Sequence, residues 1–326
     1  MNNINKNLSP WLSINKVSFK KDLLSHGYLL SGENGIGKRD FANELSKSIL
    51  CTESDQLFEA CGKCNSCKLF TGKSSPDYHF IEEEVGSNII KIGQLRGNKQ
   101  KKDSFEGIVD KIYETPLVSS SKVFIINNAH LMNDESQNFL LKILEEPPLK
   151  TFIFLLSSSP FLLKKTLLSR LSHIHFKFPK YIELKDYYES KGFNFRESDF
   201  DLVKGLNLSK LTEKNLNEAR ENWAEFMNDL SELSSYKEIE KVVSKWDNEL
   251  IQEKLIWLSR ILINSFGSKL KIKSSSVRFK VDSFEMKSLI ELSEIFKTIQ
   301  EILIDLNSGI KLNNKVQLKS LLMSLN

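Results

Sequence analysis

Cysteine is scarce in this 326-residue chain and confined to one short stretch: all four lie between positions 51 and 67. Secreted disulfide scaffolds spread their cysteines across the fold, so this distribution speaks against an oxidised framework and for an intracellular chain with reduced thiols. Long apolar runs are missing as well. No stretch approaches the about 18 uninterrupted apolar residues of a membrane span, and the opening MNNINKNLSPWLSINK carries no apolar signal core. Secretion and membrane insertion are therefore not expected. Nor does either charge dominate, with 46 basic against 42 acidic residues and a net charge of +4. That balance permits a nucleic-acid neighbour without demanding one, and a solvated surface is the simpler reading of most of the charge. What remains is 40% hydrophobic and 27% charged, the composition of a globular chain long enough for two or three domains.

The first half alternates short apolar runs with helix-length segments. Tyr28-Leu29-Leu30, Phe80-Ile81, Val123 to Ile126 and Thr151 to Leu156 read as buried strands, with Ile174-His175-Phe176 a weaker fifth. Arg39 to Leu50 and Ser136 to Glu145 read as helices between them. Continuously apolar strands alternating with helices predict an α/β fold with a parallel sheet. After Pro179 the period changes to three and four. Leu216, Ala219, Trp223, Phe226 and Leu230 form one stripe, and Ile239, Val242, Val243 and Trp246 another. Leu255, Leu258, Ile261 and Leu262 continue the pattern, followed by a helical run from Phe284 to Leu306. The expected division is 1–178 for the α/β domain, 179–212 for a small helical unit and 213–326 for a helical bundle. The segment Ser268 to Arg278 reads as a loop, and Lys269, Lys271, Lys273, Arg278 and Lys280 make it basic.

The first strand leads into Gly32-Glu33-Asn34-Gly35-Ile36-Gly37-Lys38 and then a helix. This is the G-x-x-x-x-G-K frame in its strand–loop–helix context, where glycines let backbone N–H groups approach phosphate and Lys38 supplies a point charge. Gly32, Gly35, Gly37 and Lys38 are thus candidate phosphate-binding residues. The next position is Arg39, not the Ser or Thr that ligates Mg²⁺. A second departure follows the strand Val123 to Ile126, where hydrolysing relatives of this loop present carboxylates. Here stand Asn127 and Asn128, which cannot serve as a general base and bind Mg²⁺ poorly. Intrinsic ATP hydrolysis is not expected, and nucleotide binding is left open.

The cysteines are spaced C-x₉-C-x₂-C-x₂-C, as Cys51, Cys61, Cys64 and Cys67. Two overlapping C-x₂-C steps suit tetrahedral thiolate coordination of Zn²⁺, with the fourth ligand arriving from the end of the preceding helix. A site closed by four protein ligands is structural, not catalytic; a redox pair and unrelated thiols are the alternatives. Further on, Ser169-Arg170 precedes the last strand. An arginine there could face outward and stabilise phosphoryl charge on a neighbouring subunit, although an isolated Ser-Arg is by default ordinary surface. Phe139, Leu140, Ile143 and Leu144 read as the core face of their helix, and Glu145-Glu146 before Pro147-Pro148 as structural or interfacial. His130 reads as a turn residue.

Taken together, these residues resemble the AAA+ clamp-loader family of the bacterial DNA polymerase III, and within it the delta-prime type. The likeness starts at Pro10-Trp11 and runs through the loop at Gly32 to Lys38, the four-cysteine insertion and Pro76-Asp77-Tyr78. It continues through SQNFLLKILEEPP (Ser136 to Pro148) to Ser169-Arg170, where the family carries Ser-Arg-Cys and this chain has Leu171. It is close over roughly residues 8 to 178. The resemblance implies an AAA+ P-loop domain with a zinc knuckle at Cys51, Cys61, Cys64 and Cys67, a helical lid and a helical collar. It implies a cytoplasmic, non-hydrolysing subunit in a five-membered ring with gamma/tau and delta subunits, which loads a sliding clamp onto primer-template DNA. It also implies that Arg170, with Ser169, acts in trans on a neighbour's ATP. Three other readings remain: an ATP-hydrolysing gamma/tau-type subunit, against which Asn127 and Asn128 count; a zinc-stabilised nucleic-acid-binding protein with a vestigial phosphate loop, which tight DNA binding without any partner would favour; and a nucleotide-gated scaffold outside replication, which only the family resemblance excludes.

Overall fold

The computed structural model describes residues 8–84, 89–98, 105–106, 111–248, 251–270, 284, 286–307 and 314–325. The basic positions from Lys271 to Lys280, singled out above, lie outside the described residues. The chain forms two compact units: Met1–Gly192 with Lys204–Leu211, and Phe193–Val203 with Thr212–Asn326.

The first unit is built on five strands. They are β1 (Gly27–Gly32), β2 (Tyr78–Ile81), β3 (Lys122–Ile126), β4 (Thr151–Ser157) and β5 (Ser172–Phe176). All neighbours pair in parallel, in the order β2-β3-β4-β1-β5. Every one of the five strands read from the sequence is present. β1 and β3 are buried at every residue, because helices cover both faces and no position can remain polar for solvent. β5, at an edge, keeps three of its five residues exposed, which is why its apolar signal is the weakest.

Among the described residues, the helices of this unit include α1 (Pro10–Ser13), α2 (Lys38–Leu50), α3 (Asn65–Thr71), α4 (Asp134–Glu145), α5 (Lys165–Leu168) and α6 (Tyr181–Glu189), with a short helical turn over Ile92–Arg96 besides. α4 starts two residues earlier than its apolar stripe suggests, because Asn133 caps it by accepting from Ser136 N at 2.9 Å. Its Leu140, Ile143 and Leu144 are buried against Leu29, Phe124, Ile153 and Leu155 of the sheet, with Phe139 packed beside them. Another layer is aromatic. Phe41 of α2 has its ring centroid 4.9 Å from Phe176, 5.6 Å from Phe19 and 5.0 Å from Phe58. Phe58 anchors the insertion that carries the cysteines, and Ser66 adds a hydroxyl hydrogen bond to Leu50 O at 2.7 Å.

The second unit is helical, as the change of period after Pro179 predicts. α7 (Glu213–Ser231), α8 (Tyr236–Asn248), α9 (Ile251–Lys269), α10 (Leu289–Asn307) and α11 (Asn314–Leu325) share one apolar core. The stripes read from the sequence point into it: Phe226, Leu230, Ile239, Val242, Val243, Trp246, Leu255, Leu258, Ile261 and Leu262 are all buried there. Asp229 is buried but satisfied, accepting from Trp246 Nε1 at 2.9 Å and Lys245 Nζ at 2.6 Å. Among the described residues no helix is long and apolar enough to cross a membrane.

Candidate functional site

In the strand order, β4 lies between β3 and β1, so the carboxyl ends of these three strands open side by side. Parallel sheets place ligand chemistry at such a point, where consecutive connections diverge. Three tips meet there: the loop from Gly32 to Lys38 after β1, Asn127-Asn128 after β3, and Ser157 at the end of β4.

The loop is held by its own chain. Gly35 sits at φ +78°, and a β-carbon on it would lie 1.8 Å from Leu206 O. Only glycine admits that close backbone approach. Leu208 N donates to Gly35 O at 2.8 Å, and Trp11 Nε1 donates to Ile36 O at 3.0 Å. Ser209 Oγ hydrogen-bonds the carboxylate of Asp40 on the first turn of α2. Lys38 is 9% exposed and turned inward, its Nζ donating to Gly32 O and Glu33 O at 2.7 Å each. Burial pulls its pKa down to about 8, partly opposed by the charge of Glu33. The ammonium that a phosphate would meet is thus engaged by the carbonyls of its own loop.

Arg39 occupies the position next to Lys38 with a charge of its own. Its guanidinium lies 4.0 Å from the centre of the Phe80 ring and donates to Glu82 Oε2 at 3.2 Å. Glu82 also accepts from Asn127 Nδ2 at 3.4 Å, and Glu83 Oε1 accepts from Asn128 Nδ2 at 2.8 Å. Sequence reasoning missed Glu82 and Glu83; their only signal is an acidic run directly after a strand. Both carboxamides therefore act as donors to acids that directly follow the neighbouring strand β2. Ser157 Oγ lies 3.3 Å from His130 Nδ1. Burial, aided by the nearby charge of Lys38 and opposed by that of Glu83, lowers the His130 pKa. No carboxylate stands at Asn127 or Asn128 to bind a metal or take a proton from water.

The four cysteines do come together. Their Sγ atoms all lie within 4.8 Å of one another, with Cys51 and Cys64 at 4.0 Å and Cys61 and Cys67 at 4.0 Å. A disulfide needs about 2.05 Å between sulfurs, so none is formed. Four thiolates on a tetrahedral ion with bonds of about 2.3 Å sit about 3.8 Å apart, and the observed edges match that size. Backbone N–H groups already point at the sulfurs: Cys61 N to Cys51 Sγ at 3.4 Å, Cys64 N to Cys61 Sγ at 3.3 Å, and Cys67 N to Cys64 Sγ at 3.4 Å. For Cys64, burial opposes the thiolate. Hydrogen bonds from Thr52 and from Cys67 N outweigh it and bring the pKa to about 6. Burial instead drives Cys67 up to about 12, with its sulfur neighbours adding to the rise. A second anion so close is unfavourable unless a cation sits between the sulfurs. The donor set fits a structural metal ion held by Cys51, Cys61, Cys64 and Cys67.

Arg170 follows α5, in the turn before β5. Its Nη1 donates to Thr166 O at 2.8 Å and its Nη2 to Glu145 Oε1 at 2.6 Å. Both side chains are half-exposed. Ser169 Oγ is spent on Thr166 O at 3.0 Å, closing the helix end. Leu171 is buried in the sheet's apolar core and packs there as a hydrophobe.

Residues 11–180 match the family described as DNA polymerase III, delta subunit. Among curated proteins, DNA polymerase III subunit delta' of Bacillus subtilis is 34% identical over 168 residues, 51% of this chain and 47% of that protein. The delta' subunit of Pseudomonas aeruginosa is 34% identical over 146 residues, 45% of this chain and 41% of that one. DNA polymerase III subunit gamma/tau of Mycoplasma genitalium is 33% identical over 170 residues, 51% of this chain and 26% of that protein. The matched stretch spans less than half the length of each of these relatives.

Proposed function

The chain belongs to the DNA polymerase III delta-subunit family, and on that premise we propose that it is a non-hydrolysing subunit of the complex that loads the sliding clamp onto primer-template DNA. Its partners are gamma/tau-type ATPase subunits and a delta subunit in a five-membered ring, and its work there is geometric. The observation that carries the reading is the set of substitutions at the strand tips. Arg39 replaces the Mg²⁺-ligating hydroxyl and pairs with Glu82, while Asn127 and Asn128 replace the carboxylates of a working site. The same features weigh against a gamma/tau-type role. Lys38 is engaged by Gly32 O and Glu33 O, which weighs against ATP binding by this chain.

Arg170 acts in trans, with Ser169 closing the helix behind it. It offers a fixed positive charge to the phosphoryl group on a neighbour's nucleotide, a contribution of about 10³–10⁵ in rate where such arginines operate. Zn²⁺ occupies the four-cysteine site and gives the insertion its folding energy; it takes no part in chemistry. Three working parts follow: an α/β domain to residue 178, a lid over 179–212 and a collar over 213–326 through which the ring assembles. Reconstitution of the ring with Arg170→Ala tests this. Assembly is expected to stay intact while ATP turnover by the neighbour falls at least tenfold; unchanged turnover removes the trans role.

A further inference from the structure

We propose that Glu145 is the positioning residue for Arg170: it holds the guanidinium at the surface in one pose, ready to be handed to a neighbour's phosphate. The inference rests on the trans role of Arg170 and adds how that side chain is aimed.

Two observations carry it. The first is the anchoring itself. Arg170 has a planar fork of donors, and both arms are used, one on Thr166 O at 2.8 Å and one on Glu145 Oε1 at 2.6 Å. Thr166 belongs to α5, and Glu145 is the last residue of the 12-residue helix α4. The carbonyl end of a helix carries partial negative charge, so the guanidinium meets a carboxylate and a favourable dipole at one place.

The second observation concerns what fixes the distance between the two residues. Leu144 and Leu171 are the immediate neighbours of Glu145 and Arg170, and both are buried in the same core. They close over Gly27 of β1: a β-carbon there would lie 2.8 Å from Leu144 Cδ2 and 2.8 Å from Leu171 Cδ2. A glycine at the start of a buried strand thus lets the end of α4 and the 167–171 turn clasp the sheet side by side. The pair is set by the core, and its charged tips are left half in water.

That placement suits a hand-over. A half-exposed ion pair adds little to folding stability, so stability is not its use. It does remove the rotamer freedom of a long arginine in advance, which a free side chain would lose only on meeting its target. A polyphosphate carries more negative charge than one carboxylate and takes the fork by competition.

The test uses three variants in the reconstituted ring and in the isolated chain. Glu145→Gln is expected to leave assembly and the neighbour's KM for ATP unchanged and to lower its kcat about tenfold. Glu145→Asp restores part of the loss. In an Arg170→Ala background, Glu145→Gln has no further effect, because the two act as one unit. In the isolated chain, the Arg170 side-chain NMR signals are ordered in the parent and become mobile in Glu145→Gln. An unchanged or raised kcat in Glu145→Gln overturns the proposal, as does an equal loss in the Arg170→Ala background. If Arg170→Ala alone leaves turnover intact, the trans role fails, and the NMR comparison still decides whether Glu145 orders Arg170.

Discussion

Replacing Asp77 by asparagine is expected to loosen the edge of the sheet that carries Glu82 and Glu83. Asp77 is fully buried just before β2 and accepts four hydrogen bonds from the 117–119 segment leading to β3. Leu117 N reaches Oδ1 at 2.7 Å; Val118 N, Ser119 N and Ser119 Oγ reach Oδ2 at 2.8, 2.7 and 2.7 Å. Burial by itself would raise the carboxyl's pKa, but the donors of Ser119, Leu117 and Val118 more than offset it and hold it below the ordinary aspartate value. Asparagine can keep its oxygen toward the three donors at Oδ2. Its amide nitrogen then faces Leu117 N, donor against donor. Charge assistance is lost on three bonds and the Leu117 N–H loses its acceptor, a cost of about 3 kcal/mol. At about 1.4 kcal/mol per decade, amide exchange over 117–119 should quicken about 10²-fold by hydrogen-exchange mass spectrometry. The sign with pH follows from the depressed folded pKa. The wild-type advantage is full above about pH 4 and fades as pH falls through the folded value. A change of less than threefold in exchange at pH 7 would refute this account of the contact.

Two further perturbations probe the site. Metal analysis of the purified chain should find about one zinc ion, and Cys64→Ser should lose most of it together with several degrees of melting temperature, since a tetrahedral site does not hold well on three thiolates; retention of metal and stability contradicts the site. Asn127→Asp should not create an ATPase, because the new carboxylate would stand where Asn127 Nδ2 now lies 3.4 Å from Glu82 Oε2, and Arg39 still fills the place of the metal-ligating hydroxyl; phosphate release above background by that variant would show that this reasoning is wrong.

Much of the fold can be read from the chain because continuous apolar runs and three-four stripes report burial directly. Val123 to Ile126 has no polar position to spare, and β3 is buried throughout. The cysteine cluster is legible for a different reason: ligand spacing is local, and all four sulfurs come from 17 consecutive residues. Contacts without a period stay hidden. Glu145 and Arg170 are 25 positions apart, Arg39 and Glu82 are 43 apart, and neither pair leaves a pattern in the sequence. Leu206 to Leu208 reach the phosphate loop through backbone atoms alone, which no side-chain pattern can announce. Asp77 is recognisable as part of Pro76-Asp77-Tyr78, but its partners are mostly backbone N–H groups and are likewise silent.

Steady-state phosphate release by the isolated chain in the presence of Mg²⁺ and ATP is the most direct measurement. Arg39, Asn127 and Asn128 together predict no turnover above background, in the parent and in a Lys38→Ala control alike. Turnover that is well above background in the parent and vanishes with Lys38→Ala would contradict the account.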